Sequence, residues 1–338
     1  MTFKFCDGCD SYAATADISA KFSAVTSAAF SATGGRFGGG AITSSSVPRS
    51  LSFSRAVSVP SLAKLRLAFN MRASTGWSLG GISTGFPLIS VNGQHVMGIS
   101  TAGQLVITVL GGSIPQFTSS AIVVDNAYHW VELEYYLNGT SSTAQLYVDG
   151  VSQGTLTGVN LNAAVAITAV AFSGGYNSGG THYYDDIVIW DDQGSTFNSF
   201  PLGPRRISTL VPNADGDLAQ FTPKTGTSHF AMVNGGYSST NYVSDSGTGN
   251  VDLFKFPSLA YSPTSINAVV GNYYGQNTGA GSTNLIPKVK TSGTTASGTT
   301  LTMTVGTNSL LQSGFTTDAG GSAWTSSAVN AMQIGMGD

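Results

Sequence analysis

Apolar and polar residues alternate with a period of two through much of the first 200 positions, the pattern of half-buried strands rather than of helices. In Leu65–Met71, residues 65, 67, 69 and 71 are apolar while Arg66 and Asn70 fall between them. From 86 to 110, Asn92-Gly93 and Ala102-Gly103 divide three apolar runs. Links of the Asn-Gly kind accept the positive φ that a tight hairpin needs, so these runs predict an antiparallel meander. The stretch 127–154 is the most regular: Val131, Leu133, Tyr135 and Leu137 share one face, and Trp130, Glu132, Glu134 and Tyr136 share the other. A strand over 144–148 and an Asp149-Gly150 hairpin follow. Tyr183–Trp190 predicts a last core strand that returns the chain beside its beginning. Regular strands, Gly-rich turns and no helical period predict an all-β sandwich.

The pattern weakens after Pro201, Gly203 and Pro204, which interrupt pairing and mark an exposed connection between a domain over 1–200 and a smaller β-rich domain over 205–338. In the second part 252–256, 265–270 and 300–305 are candidate strands. The stretches 274–284 and 291–299, rich in Gly, Ser, Thr and Asn, are expected to be loops.

Composition sharpens this picture. Charged residues are 9% of the 338, against about 25% in an average soluble protein. Long wet helices would need Glu, Lys and Arg on their outer faces, so the surface is expected to be polar without being ionic. Eight basic residues precede position 73, where only Asp7, Asp10 and Asp17 oppose them. Residues 73–204 hold eight acidic residues and neither Lys nor Arg. The two blocks are natural partners within one fold, which argues against a nucleic-acid binder. The start carries no basic-plus-apolar leader and no apolar run approaches the roughly 20 residues of a membrane span, so a product made in the cytoplasm, without membrane insertion, is expected. Cys6 and Cys9 form a C-x-x-C, but no second Cys pair completes a zinc set, and the four histidines are scattered. There is no P-loop.

Trp130 followed by alternating apolar residues and Leu146-Tyr147-Val148-Asp149-Gly150 resembles the signature of laminin-G-like, concanavalin A-like jelly rolls. Asp7-Gly8-Cys9-Asp10-Ser11-Tyr12, Gly35-Arg36-Phe37-Gly38-Gly39, Leu202-Gly203 through Arg206, Asp215-Gly216, Phe221-Thr222-Pro223, Asn241-Tyr242-Val243 and Trp324-Thr325 before Val329-Asn330-Ala331 resemble, in order, tailed-bacteriophage virion proteins built on that jelly roll with a C-terminal β extension. The resemblance implies a concanavalin A-like jelly-roll sandwich and a small assembly domain. It also implies a non-enzymatic structural role on the virion exterior: tail-associated with attachment to a host surface glycan, or else head decoration. The expected partners are other virion proteins and further copies of the chain.

Jelly rolls of this kind include glucanases. Glu132 and Glu134 lie two residues apart on one strand, about 6.6–6.8 Å at Cα, within reach of the roughly 5–9.5 Å that glycoside hydrolysis uses. The glucanase pattern Glu-x-Asp-x-x-Glu is nevertheless missing its third acid here. A non-catalytic alternative is a sugar platform of Trp130, Glu132, Glu134 and Tyr136, aromatic rings beside hydrogen-bond acceptors; Trp130 also reads as an inter-sheet core residue. Asp185 and Asp186, with Asp191 and Asp192, are oxygen ligands of the type that holds calcium in lectin-like relatives. Asn213–Asp217 reads as a turn, and Asn138-Gly139-Thr140 as a hairpin turn.

Overall fold

The computed structural model describes the chain apart from residues 1–2, 45–50, 75–86, 113, 175–180, 195–197, 236–237, 239, 280 and 282. Phe86, at the head of the 86–110 run, lies outside the described residues. Two compact units divide at Ile207/Ser208.

The first unit holds β1 (Phe3–Asp7), α1 (Ile18–Lys21), β2 (Ala24–Thr26), β3 (Ala28–Ser31), β4 (Ala41–Ser44), β5 (Ser52–Val59), β6 (Leu65–Ala73), β7 (Pro87–Val91), β8 (Gln94–Ile99) and β9 (Gln104–Thr108). It continues with β10 (Pro115–Ile122), β11 (Tyr128–Tyr136), β12 (Thr143–Val148), β13 (Val151–Thr157), β14 (Ile167–Ser173) and β15 (His182–Asp191). The larger sheet runs β13-β12-β11-β6-β15-β4-β3, with β1 also on β15, and the other runs β10-β9-β8-β7-β14-β5-β2. Among the described residues these strands pair antiparallel, giving the jelly-roll type of sandwich that the alternation predicts. The turns behave as their residues require: Asn92-Gly93 and Asp149-Gly150 both sit at positive φ.

One face of each strand fills the space between the sheets. Register pairs Leu67 with Leu133 and Phe69 with Val131. Phe69, Phe53 and Tyr184 all meet Phe172 at centroid distances of 5.3–5.7 Å. Such ring packing adds about 0.5–1.5 kcal/mol per pair beyond the area it buries. Tyr135, fully buried, donates from its hydroxyl to the Thr108 carbonyl at 3.2 Å.

The second unit has β16 (Ala214–Ala219), β17 (Thr222–Pro223), β18 (Val243–Ser244), β19 (Val251–Lys255), β20 (Val269–Gly275), β21 (Thr283–Thr291), β22 (Thr294–Ser297), β23 (Leu301–Met303), β24 (Ser309–Phe315), α2 (Ser326–Ala331) and β25 (Gln333–Gly337). One sheet runs β16-β19-β25-β21-β22 with β23 also on β21, and β17-β18 and β20-β24 form two ribbons. Trp324, Phe315, Val289, Val329 and Ile334 anchor its core, and the Trp324 indole donates to the Phe315 carbonyl at 2.8 Å. Thr325 caps α2 by accepting from Ala328 N.

Three local expectations change here. Residues 291–299 are not a loop: Ser292 and Gly293, both at positive φ, turn β21 into β22. Asn213–Asp217 is not a turn, because most of it pairs with β19 as β16. The strand expected at 265–270 begins only at Val269 and runs on to Gly275.

Candidate functional site

The face of the larger sheet that points away from the inter-sheet core gathers the sequence candidates. Register sets Glu132 beside Ala68, Glu134 beside Arg66, Val188 beside Ala68 and Trp190 beside Arg66. Trp130, Glu132 and Glu134 thus share the expected face, but that face is not open. Residues 198–203 cross it. Trp130, with no exposure, packs with Ala68 and Trp190 beneath Val188, Phe200 and Leu202, so it is buried by its own chain and not between the sheets. The Trp190 indole donates to the Ser199 carbonyl at 3.1 Å, and Phe200 stands edge-on to Tyr147 at 5.6 Å.

The carboxylates are committed to holding this cover. Glu132 accepts from Leu202 N at 2.6 Å on one oxygen and from Gly203 N at 2.9 Å on the other. Burial raises its pKa, against the lowering pull of the Leu202 N–H. Glu134 takes Lys64 Nζ at 2.7 Å on one oxygen and Arg66 on the other, through Nε and Nη2 at 2.8 Å each. Arg66 then reaches the Asn198 carbonyl through Nη1. A nucleophile or general base needs a lone pair aimed at substrate; here all four oxygens meet donors of the same chain. The expected sugar platform of Trp130, Glu132, Glu134 and Tyr136 is corrected accordingly: three members lie buried, and Tyr136, half-buried, accepts from Asn138 Nδ2 at 3.0 Å.

Asp185 and Asp186 form a second buried acidic centre. A regular strand sends neighbouring side chains to opposite faces. The register breaks between Asp185 and Val188, and Asp186 stands at φ 51°, so both carboxylates reach one cluster. Asp185 accepts from Arg36 N at 2.9 Å and from Asp186 N at 2.8 Å. Asp186 accepts from Asn70 Nδ2 at 2.7 Å and Ile207 N at 2.6 Å, while Arg36 Nη1 donates to Asn70 Oδ1 at 3.1 Å. Burial raises both acids, and for Asp185 the neighbouring Asp186 charge raises it further. Calcium prefers six to eight oxygen ligands. Oxygens that each face an N–H do not fit that role, and among the described residues no group of three His, Cys, Asp or Glu side chains is placed to hold a metal ion. The calcium expectation is corrected on that ground.

Three of the segments that carried the phage resemblance, residues 7–12, 35–39 and 202–206, come together at this centre. Asp10 accepts from Gly40 N at 2.9 Å, and a side chain at Gly39 would collide with the Asp10 carboxylate. Gly8 lets Ile207 approach, since a Cβ there would lie 2.7 Å from the Ile207 carbonyl oxygen. Phe37 meets both guanidinium groups, Arg36 at 5.1 Å and Arg206 at 4.5 Å. Asp7 accepts from Cys9 N at 3.0 Å and Lys21 Nζ at 2.7 Å. Burial pushes the Cys6 thiol up to about 12 and Cys9 well above its usual range, so neither is held as a reactive thiolate.

Sequence reading missed two features. Phe200 and Leu202 signalled the cover, because a solvated connector has no use for large apolar side chains. His129 is bracketed by Asp149 Oδ2 at 2.7 Å on Nδ1 and Asp125 Oδ1 at 3.0 Å on Nε2. Only the imidazolium donates to both. Burial opposes that charge, but the two carboxylates outweigh it and raise the histidine's pKa. In the second unit His229 Nδ1 lies 2.7 Å from the buried Asp252, which also accepts from Phe221 N at 2.8 Å.

No protein-family model matches the chain, and no curated protein matches it. Among solved structures it is similar to alginate lyase Aly36B at 14% identity, over 56% of this chain and 97% of that one, with a TM-score of 0.39. It is similar to the binding domain of Paraclostridial Mosquitocidal Protein 1 at 15% identity, over 49% of this chain and 42% of that one, with a TM-score of 0.36. It is also similar to the carbohydrate recognition domain of Emp47p at 11% identity, over 45% of this chain and 83% of that one, with a TM-score of 0.28. The chain spans less than half the length of the mosquitocidal binding-domain structure. With TM-scores below 0.5, these likenesses assign no activity or ligand to this chain.

Proposed function

We propose that this chain is a non-enzymatic structural protein on the exterior of a tailed-phage particle. The observation that carries the reading is the convergence of Asp7–Tyr12, Gly35–Gly39 and Leu202–Arg206, the segments resembling virion proteins, on one buried junction around Asp185 and Asp186. There these residues do structural work: they fix the course of 198–207. The commitment of Glu132 and Glu134 to main-chain and cationic donors supports a role without catalysis at that pair. With Trp130, Glu132 and Glu134 covered, the reading places any host-glycan contact elsewhere on the protein.

The test is immunogold electron microscopy of purified particles with antibody to residues 1–207. Gold on particles supports the reading, with label on the tail assigning attachment and label over the head assigning decoration. Particles without label overturn it. Release of reducing ends from a bacterial polysaccharide, abolished by Glu132→Gln or Glu134→Gln, would establish the enzymatic alternative instead.

A further inference from the structure

The cover of residues 198–203 meets the rows of the outer face that hold Trp130, Glu132 and Glu134. Two residues before Trp130 the same face carries a different row. Register sets Tyr128 of β11, Arg72 of β6 and Tyr183 of β15 side by side on three adjacent strands, and all three are half-buried. The Arg72 guanidinium lies 4.2 Å from the centre of the Tyr183 ring and 5.2 Å from that of Tyr128. Gly34 props both rings: its carbonyl accepts from the Tyr128 hydroxyl, and a side chain there would come within 2.8 Å of the Tyr183 ring.

Ring faces hold a guanidinium through its charge and its flat sides and leave the N–H groups at its edge unused. Elsewhere in this unit the partly buried cations find anions: Lys4, Lys21, Lys64 and Arg66 each pair with a carboxylate at 2.7–2.9 Å. Arg72 has no carboxylate partner among the described residues, and its Nε, shielded from solvent, meets no acceptor. A partly desolvated cation without an anion gains most from one. Arg36 brings a second guanidinium to the adjoining row, where it donates to Asn70. Asp185, two residues along β15 from Tyr183, spends its oxygens on Arg36 N and Asp186 N. Burial and the Asp186 charge raise its pKa, which reduces the negative charge that an arriving anion meets. We propose that Arg72, between Tyr128 and Tyr183, is the binding site for the carboxylate of an acidic sugar. The two terminal nitrogens of the guanidinium match the two oxygens of a carboxylate in parallel hydrogen bonds. The tyrosine rings beside them offer apolar surface and hydroxyls to the C–H and O–H groups of the sugar ring. A neutral sugar has no group for the guanidinium, and an inorganic anion has no ring for the tyrosines.

This site names the chemistry of the host-glycan contact in the virion reading, on which it rests, but its test is separate from particle labelling. The full chain is titrated with oligosaccharides of glucuronate, galacturonate and N-acetylneuraminate, with their carboxyl-reduced counterparts, and with sodium sulfate. Affinity is read by calorimetry, and place by the Arg72 Nε–H resonance in nitrogen-correlated NMR, assigned by its loss in Arg72→Lys. At least one sugar acid should shift this resonance to saturation, and its carboxyl-reduced counterpart should leave it in place. Arg72→Lys keeps the charge without the planar pair of donors and should weaken binding about tenfold. Leu62→Lys, at an exposed leucine outside the row, should leave binding unchanged. Failure of every sugar acid to shift the resonance, equal binding of the neutral counterpart, or an equal response to sulfate would overturn the proposal. Gold on particles without sugar-acid binding removes this site alone; sugar-acid binding without gold removes the virion reading alone.

Discussion

In the first unit, Arg66, Glu132, Glu134, Asp185 and Asp186 lie buried, and residues 198–207 supply part of their hydrogen-bonding complement; in the second, the interior around Trp324 is apolar, and its buried acid is Asp252 beside His229. The difference shows two ways of closing a β surface. An apolar face closes against any apolar neighbour of fitting shape. A face bearing carboxylates closes only against a segment that brings N–H groups to the right places, because an unsatisfied buried donor or acceptor costs about 1–3 kcal/mol. Residues 198–207 do this with main-chain groups at 202, 203 and 207, which explains why Pro201 and Pro204, lacking an N–H, flank those positions without disturbing them.

Removing the largest buried side chain from each unit should separate them most clearly. Trp130→Ala and Trp324→Ala should each cost about 3–5 kcal/mol, the first in the unfolding of residues 1–207 and the second in that of 208–338. Urea unfolding followed by intrinsic fluorescence checks this, and a single transition shifted equally by both variants would erase the distinction. Next in size, Glu132→Gln turns an amide toward either Leu202 N or Gly203 N and should destabilise the first unit by about 1–3 kcal/mol, visible as a lower urea midpoint. A smaller effect belongs to the second unit alone: Thr325→Ala removes the α2 cap and should cost about 1 kcal/mol by the same measurement.

The smallest expected effect is a pH dependence of the first unit. His129 has a raised folded-state pKa, so its contribution is full below the unfolded value of about 6.5 and is lost as pH rises through the folded value. Asp185 and Asp186 are also raised and act with the same sign, their contribution being lost as pH rises from the ordinary carboxylate range. The first calorimetric transition should therefore fall between about pH 6 and pH 9, less steeply in His129→Gln. A transition that rises over this range would contradict the pairing geometry.

Much of the first unit was legible because its strands alternate. Leu65–Met71 and Trp130–Leu137 declare their two faces through period alone, and Asn92-Gly93 and Asp149-Gly150 announce their turns. The second unit hid β21–β22 because Ser292-Gly293 sits within a Thr- and Ser-rich stretch that local composition assigns to a loop; pairing of β21 with β25, forty residues later in the chain, makes it a strand. The site was half legible. Sequence placed Trp130, Glu132 and Glu134 together correctly, since that follows from a period of two. Whether such a face is open depends on where a distant segment comes to rest, and no local pattern around residue 130 encodes Phe200 or Leu202. The bulge at Asp186 was hidden for the same reason: it is fixed by partners at Arg36, Asn70 and Ile207, drawn from three separate parts of the chain.

The closed outer face is tested most directly by hydrogen–deuterium exchange resolved at residues 198–207 in the full chain. Closure predicts that the amides of Leu202, Gly203 and Ile207, each bonded to a buried carboxylate, exchange as slowly as those of β11. Exchange of all three at the rate of a free peptide, together with acrylamide quenching of Trp130, would show an open face and return the aromatic and acidic residues there to consideration as a binding surface.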